Sequence, residues 1–189
     1  MKKTLSLILA RVLCLSLCAC GNTTSIEEAL QGKWVAKGGD GGIYTFSNGR
    51  FTCETVISGL NLGVKEGGYK ISTNAIKLSY DNGVKSELKF TYENGTLSID
   101  GLIDQSRIDE ALQGKWTEDK DYGTYTCYIF ENGRFSAETV IIENNLGIDE
   151  GNYEILGNII ILRFDDGTGW ELNYKYENGV LTLDDLAKE

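Results

Sequence analysis

The sequence predicts an all-β protein made of two tandem small antiparallel β-barrels, each preceded by a short helix. The first observation is an internal repeat, in which residues 26–34 recur as 108–116 and residues 43–102 match 127–186 at about half of the positions. The second is that short runs of alternating apolar and polar residues, separated by Asn-Gly pairs, fill both copies. Each copy is therefore expected to fold as one small β domain.

Each copy opens with a segment that is typical of a short helix. Ser25 with Glu28, and Ser106 with Asp109, have the spacing of a capping box, in which each side chain satisfies a free amide at the helix start. The two helices are therefore expected to begin at these serines.

Hairpins account for the rest of each copy. In the first copy an Asn-Gly pair predicts a two-residue turn that places Phe46 opposite Phe51 on one apolar face. A later loop of five residues is expected to place Ile76 opposite Phe90, because a two-residue turn would move the apolar side chains off their common face. These runs predict roughly seven strands per copy.

Residues 1–19 are typical of a lipoprotein signal peptide. Lys2 and Lys3 precede an apolar run, and Leu-Cys-Ala-Cys at 17–20 resembles the bacterial lipobox, in which the last cysteine receives the lipid. The apolar run is shorter than the roughly 20 residues of a membrane-spanning helix and contains Arg11. We therefore expect lipidation at Cys20, a tether over residues 20–24, and an extracytoplasmic protein anchored to the cell membrane.

The charge of the chain is acidic and uneven. Without the three basic residues of the signal peptide, 15 basic residues remain against 28 acidic ones, a net charge of −13. Residues 105–189 alone carry 7 basic and 18 acidic residues, a net charge of −11. Such a surface disfavours nucleic acid and anionic lipid as partners. Solubility is the simplest interpretation, and recognition of a cationic ligand is the alternative.

The absence of histidine removes several kinds of catalytic and metal site. A chain with no histidine has no Ser-His or Cys-His nucleophile pair and no imidazole metal ligand. Cys53 and Cys127 stand at non-equivalent positions of the two copies, so no repeated disulfide is expected. By alternation, Cys53 should point into the first core and Cys127 should lie on an outer face. No cofactor and no metal site are predicted.

Gly-Lys-Trp directly after a short helix is similar to the start of lipocalins. Each whole copy looks like the short lipocalin-like domains of unknown function that occur on bacterial lipoproteins. The resemblance implies two lipocalin-like β domains, residues 25–104 and 105–189, although true lipocalins are about twice as long per barrel. In the first copy the resemblance rests on Leu30–Trp34, Tyr44–Gly49, Gly68–Ile71 and Asn94–Leu97.

The aromatic residues permit two interpretations. Trp34 and Trp116 are expected to plug one end of each barrel, with a ligand contact as the alternative. Trp170 is a further candidate for a ligand or partner contact. The other aromatic side chains either fill the core or line a pocket, and the core is favoured because a domain of this size needs them for its own packing.

The longest break in the strand pattern is residues 58–67, matched by residues 142–151, and both segments are expected to be loops. Loops between rigid strands often bind partners. Each segment contains Asn-Leu-Gly, and four of these residues are candidate contacts: Asn61, Leu62, Asn145 and Leu146.

Carboxylates offer weaker candidates for chemistry. Glu143, Asp149 and Glu150 could ligate calcium, but their spacing fits no known calcium loop. Glu54 and Glu138 recur at equivalent positions and could act as a glycosidase pair at a suitable separation. Solvation of exposed strand faces is the simpler interpretation of both sets.

Taken together, these features favour a cell-surface lipoprotein that is a non-catalytic binding or interaction protein of unknown ligand. The alternative is a carrier of a small hydrophobic ligand with a pocket inside the barrel, and an enzyme is least favoured. The expected partners are the membrane, through the N-terminal lipid, and an unknown protein or small molecule; nucleic acid is not expected.

Overall fold

The computed structural model describes residues 21–38, 41–57, 60–118, 123–142 and 144–189. The signal peptide at residues 1–19 and Cys20 therefore lie outside the described residues. The first copy comprises helix α1 (Gly21–Leu30) and strands β1 (Gly32–Ala36), β2 (Gly41–Ser47), β3 (Arg50–Ile57), β4 (Leu60–Ile71), β5 (Ala75–Tyr80), β6 (Lys85–Glu93), β7 (Thr96–Ile99) and β8 (Leu102–Asp104).

The second copy repeats this order of elements. It comprises helix α2 (Gln105–Leu112) and strands β9 (Gly114–Glu118), β10 (Thr124–Glu131), β11 (Arg134–Ile141), β12 (Asn144–Leu156), β13 (Ile159–Phe164), β14 (Gly169–Glu177), β15 (Val180–Leu183) and β16 (Leu186–Lys188).

The strands form two separate antiparallel sheets, one per copy. The first has the order β7-β6-β5-β4-β3-β2-β1-β8 and is a nearly closed barrel, and the second is a closed barrel of order β10-β11-β12-β13-β14-β15-β16-β9. The predicted fold class, two tandem small β-barrels that each follow a short helix, is therefore confirmed. That residues 25–104 and 105–189 are independent domains stays a prediction.

Each described sheet contains eight strands, one more than the sequence predicts. The additional strands, β8 and β16, are three residues long and pair with β1 and β9, for example through Trp34 opposite Asp104. A run of three residues is too short to show an alternating pattern, so only its partner strand reveals it.

The register of the β5–β6 hairpin differs from the prediction. Ile76 lies opposite Leu88 and not opposite Phe90, and Leu78 lies opposite Ser86. The two registers differ by two residues, so both keep the apolar side chains on the same face. The apolar pattern determines the face, but it does not distinguish between these two loop lengths.

The helix starts also differ from the prediction. Helix α1 begins at Gly21, before Ser25. The N-cap of α2 is Asp104, whose Oδ1 accepts hydrogen bonds from the backbone N (3.0 Å) and Oγ (2.8 Å) of Ser106. The predicted capping boxes are therefore wrong: β8 leads directly into α2, and its last residue, an aspartate, already provides the cap.

Buried side chains fill the interior of the second barrel. Aromatic rings pack closely within it and against it: Phe130 packs edge-on against Tyr153 (5.4 Å between centroids) and Phe135 against Phe164 (4.9 Å). This packing supports the core interpretation of the aromatic residues. The buried cluster consists of Ile108, Leu112, Trp116, Tyr128, Phe130, Phe135, Ala137, Ile155, Ile160, Leu162, Leu172, Tyr174, Leu181 and Leu183.

Both described thiols are buried. Cys53 is 7% exposed and Cys127 is 3% exposed. Cys127 alternates with core residue Tyr128 and is not part of the interior cluster, so it has the outward orientation that the sequence predicts. This outer position is itself buried.

Candidate functional site

Trp34 and Trp116 are buried core residues, with 3% and 2% exposure. The indole Nε1 of Trp116 donates a hydrogen bond to the backbone oxygen of Leu112 at 2.7 Å, so the ring joins the first strand of the barrel to the end of α2. The only polar atom of the Trp116 side chain thus has its hydrogen-bond acceptor within the protein. This placement favours the structural interpretation of the two tryptophans over the ligand contact.

A network of polar side chains connects helix α2 to the second barrel. Gln113 Nε2 donates to Tyr153 Oη at 2.8 Å, and Gln113 Oε1 accepts from the backbone N of Asn132 at 2.9 Å. Tyr153 Oη donates to Asp109 Oδ1 at 2.5 Å. Burial, together with the hydrogen bond to Asp109, raises the pKa of Tyr153. The helix is therefore tied both to the β10–β11 turn and to β12.

The first copy contains the same network at equivalent positions. Tyr69 Oη donates to Glu27 and accepts from Gln31 Nε2 at 3.0 Å, and Gln31 Oε1 accepts from the backbone N of Asn48 at 3.0 Å. The recurring glutamine before Gly-Lys-Trp thus has a structural role that the sequence analysis did not identify. The available signal was its repetition together with a tyrosine in the fourth strand.

We expect Tyr153→Phe to lower the free energy of unfolding of the second barrel by about 1–2 kcal/mol, because the polar partners of the hydroxyl lose their bond. Tyr176→Phe is the control, since that hydroxyl makes no hydrogen bond to the described residues, and it should have little effect. Because the pKa of Tyr153 is raised on folding, its stabilisation is present below about pH 10 and is lost as the pH rises further. Urea unfolding at pH 7 and above pH 10 measures both effects, and equal losses in the two variants would contradict the network's role.

Residues 60–67 and 144–151, which make up most of the two predicted loop segments, belong to strands, so the loop prediction is wrong there. Strands β4 and β12 are the longest described, with 12 and 13 residues, and their first halves are exposed throughout. We call residues 54–57 and 60–64 arm 1, and residues 138–142 and 144–150 arm 2. Each arm continues the third and fourth strands of its barrel.

Asn145 makes hydrogen bonds to two other residues of arm 2. Its Oδ1 accepts a hydrogen bond from the backbone N of Gly147 at 2.7 Å, and its Nδ2 donates to Glu138 on the adjacent strand. Glu138 pairs with Ile148, and Val140 pairs with Asn145, so β12 has one extra residue in between, which is a β-bulge. Gly147 has a φ of +123°, which an L side chain rarely adopts.

Arm 1 has the same internal bonds. Asn61 Oδ1 accepts from the backbone N of Gly63 at 2.9 Å, and Asn61 Nδ2 donates to Glu54 at 2.8 Å. The two candidate asparagines are thus structural residues of the arms. The recurring glutamates Glu54 and Glu138 bind them, which accounts for their repetition without glycosidase chemistry.

The arms expose large apolar side chains. The candidate residues Leu62 and Leu146 are 62% and 65% exposed, and they lie between the asparagine and the glycine of each Asn-Leu-Gly. Neighbouring apolar residues share this exposure, and for Leu60, Val64 and Ile148 the alternation with Asn or Gly was a signal in the sequence. These neighbours are Ile57, Leu60 and Val64 in arm 1, and Ile141, Ile142 and Ile148 in arm 2.

Trp170 is an exposed tryptophan that has no counterpart in the first copy. It is 62% exposed, and the equivalent position in the first copy is Ser86. With Ile161, Arg163 and Glu171 it lines a shallow surface depression of about 500 Å³. A depression of this kind suits a contact with a larger partner better than the enclosure of a small molecule.

The described residues do not assemble a metal site. No group of three or more potential ligands lies together within the described part of the chain. Of the possible calcium ligands, Glu143 lies outside it, and Glu150 is 3.5 Å from Arg134. Within the same residues, no helix is long and apolar enough to cross a membrane.

No protein-family model matches the chain, and neither curated proteins nor solved structures gave a match. The resemblance to short lipocalin-like domains therefore stays a prediction, and the site is interpreted from its own geometry. That geometry consists of two similar arms that expose apolar side chains on internally bonded strands.

Proposed function

We propose that the protein is a non-catalytic interaction protein that a lipid on Cys20 holds at the outer cell surface. The protein contacts its partner through the arms. The observation that carries the proposal is an exposed leucine, Leu62 or Leu146, that recurs in both arms. In each arm the preceding asparagine is hydrogen-bonded both to the adjacent strand and to the glycine that follows the leucine. Large apolar side chains that are clustered and exposed commonly mark interaction sites in soluble proteins.

The interior packing favours this proposal over the carrier of a small hydrophobic ligand. Side chains of the helix and of the strands occupy the described interior of the second barrel, with Trp116 and Phe130 among the fully buried. A carrier needs a pocket of roughly 300 Å³ or more that encloses its ligand. The largest apolar exposure lies instead on the outside, on the arms.

The anchor is tested by metabolic labelling with a palmitate analogue. The wild type and Cys18→Ala should incorporate the label, because Cys18 is not the modified residue. Cys20→Ala should lose it entirely, since no thiol remains at the position where the lipid is attached. Label that persists in Cys20→Ala would remove the lipoprotein part of the proposal.

The arms are tested by placing a photo-crosslinking amino acid at Leu62 or Leu146 in living cells. We expect a discrete crosslinked product from each position, because an arm in contact with a partner holds the probe against it. Probes at Val84 and Val180, which are 55% and 61% exposed but lie off the arms, are matched controls. Equal products from all four positions, or none from the arms, would contradict the proposed contact.

A further inference from the structure

The first half of β12 has a free edge. Its pairing with β13 begins at Gly151 opposite Phe164, and just before that the backbone N of Asp165 donates to the oxygen of Glu150 at 2.9 Å. On the other side, residues 144–149 pair with β11 except at the bulge residues 146 and 147. Among the residues that the structure describes, they have no strand on the β13 side.

The free edge offers backbone hydrogen-bonding groups to a partner. Alternate residues of a strand direct their backbone groups to opposite neighbours. The oxygen of Glu150 points to the β13 side, so Ile148, two residues earlier in a regular stretch, directs its N–H and C=O to the same open side. Such unpaired groups are a template for an added strand.

The negative charge of this edge favours a basic partner. Asp149 and Glu150 are exposed on it, and residues 105–189 have a net charge of −11. The first copy has Lys65 where the second has Asp149, and a lysine on an edge strand is a common protection against strand addition. A second copy of the chain would meet the acidic edge with like charge, whereas a basic segment would complement it.

We propose that the edge of β12 at residues 144–150 takes up an extended segment of a partner polypeptide in which basic and apolar side chains alternate. The segment adds a strand to the second barrel, with its backbone bonded to Ile148, its basic side chains near Asp149, and its apolar side chains near Leu146 and Ile148. This inference rests on the proposed function and names the partner chemistry for arm 2.

The test uses the mature chain, residues 20–189, and a blocked seven-residue peptide of alternating valine and lysine. We expect shifts of the backbone amide signals of residues 144–150 on titration. A peptide of the same sequence with alternate N-methylated amides keeps its charge but loses the donors along one edge, and it should bind at least about tenfold more weakly.

Charge variants complete the test. Asp149→Lys places the residue of the first copy on the edge, and it should weaken binding roughly tenfold. Glu177→Lys makes the same change of charge away from the arm and should have a much smaller effect.

Three outcomes would overturn the inference: no shifts on the arm at about 1 mM peptide, equal binding of the N-methylated peptide, or equal losses in Asp149→Lys and Glu177→Lys. If one of these occurs while Leu62 and Leu146 still form discrete crosslinks in cells, the proposed function stands and only strand addition is wrong. If the crosslinks also fail, the arms are not a contact surface.

Discussion

Gly151→Ala is expected to remove most of the stability of the second barrel. A Cβ atom at this position would lie 2.2 Å from the backbone oxygen of Arg163 and 2.7 Å from the ring of Phe135. Neither can yield easily, because the oxygen belongs to the adjacent strand and the ring packs against Phe164. We expect a loss of about 3 kcal/mol, against a total of roughly 5 kcal/mol for a domain of this size.

The matched control for this variant is Gly68→Ala. The nearest atom to a Cβ at Gly68 is the oxygen of Gly49, at an ordinary contact distance of 3.6 Å, and the second copy has Asn152 at the equivalent position. Its stability should therefore change by less than about 1 kcal/mol. Urea unfolding followed by tryptophan fluorescence measures both variants. A loss below 1 kcal/mol in Gly151→Ala would show that β12 and β13 can separate locally at little cost.

Trp116→Ala is expected to destabilise the second barrel by about 3–5 kcal/mol, because it removes the largest side chain of the core and leaves a cavity. It also removes the hydrogen bond to Leu112, through which the strand holds α2. Trp170→Ala is the control in the same barrel. Its side chain is 62% exposed, so its loss should change stability by less than about 0.5 kcal/mol.

This pair of variants also separates the two interpretations of Trp116. A residue whose main role is ligand contact can be truncated with little loss of stability, whereas a core plug cannot. Thermal unfolding of the two variants gives the comparison. If Trp116→Ala unfolds at the temperature of Trp170→Ala, the plug interpretation fails and the ligand contact has to be considered again.

Local signals were sufficient for much of the fold. The repeat of residues 26–34 at 108–116 predicted two copies, and the alternation around Phe46 and Phe51 predicted which side chains are buried. Both are properties of short stretches, in which a period of two assigns each residue to a face. The all-β class and the short helix before each barrel follow from these stretches alone.

The candidate site was only partly predictable from the same signals. Asn-Leu-Gly predicts Asn61, Leu62, Asn145 and Leu146 as contact residues, but it does not indicate that the two asparagines are hydrogen-bonded within the arms. Their bonds to Glu54 and Glu138 join residues seven positions apart across two strands. A pairing of this kind depends on strand register, which the sequence of one strand does not contain.

The sequence by itself thus determined the number of copies, the strand faces, the acidic charge of the second copy and the candidate anchor at Cys20. Only the tertiary structure decided the register of the β5–β6 hairpin, the presence of the short strands β8 and β16, and the strand conformation of residues 144–150, which the sequence predicts to be a loop. The physical reason is that these features depend on hydrogen bonds between distant segments, and several registers satisfy the same apolar pattern. In the second barrel, β12 is longer than β13 and extends beyond it with a free edge.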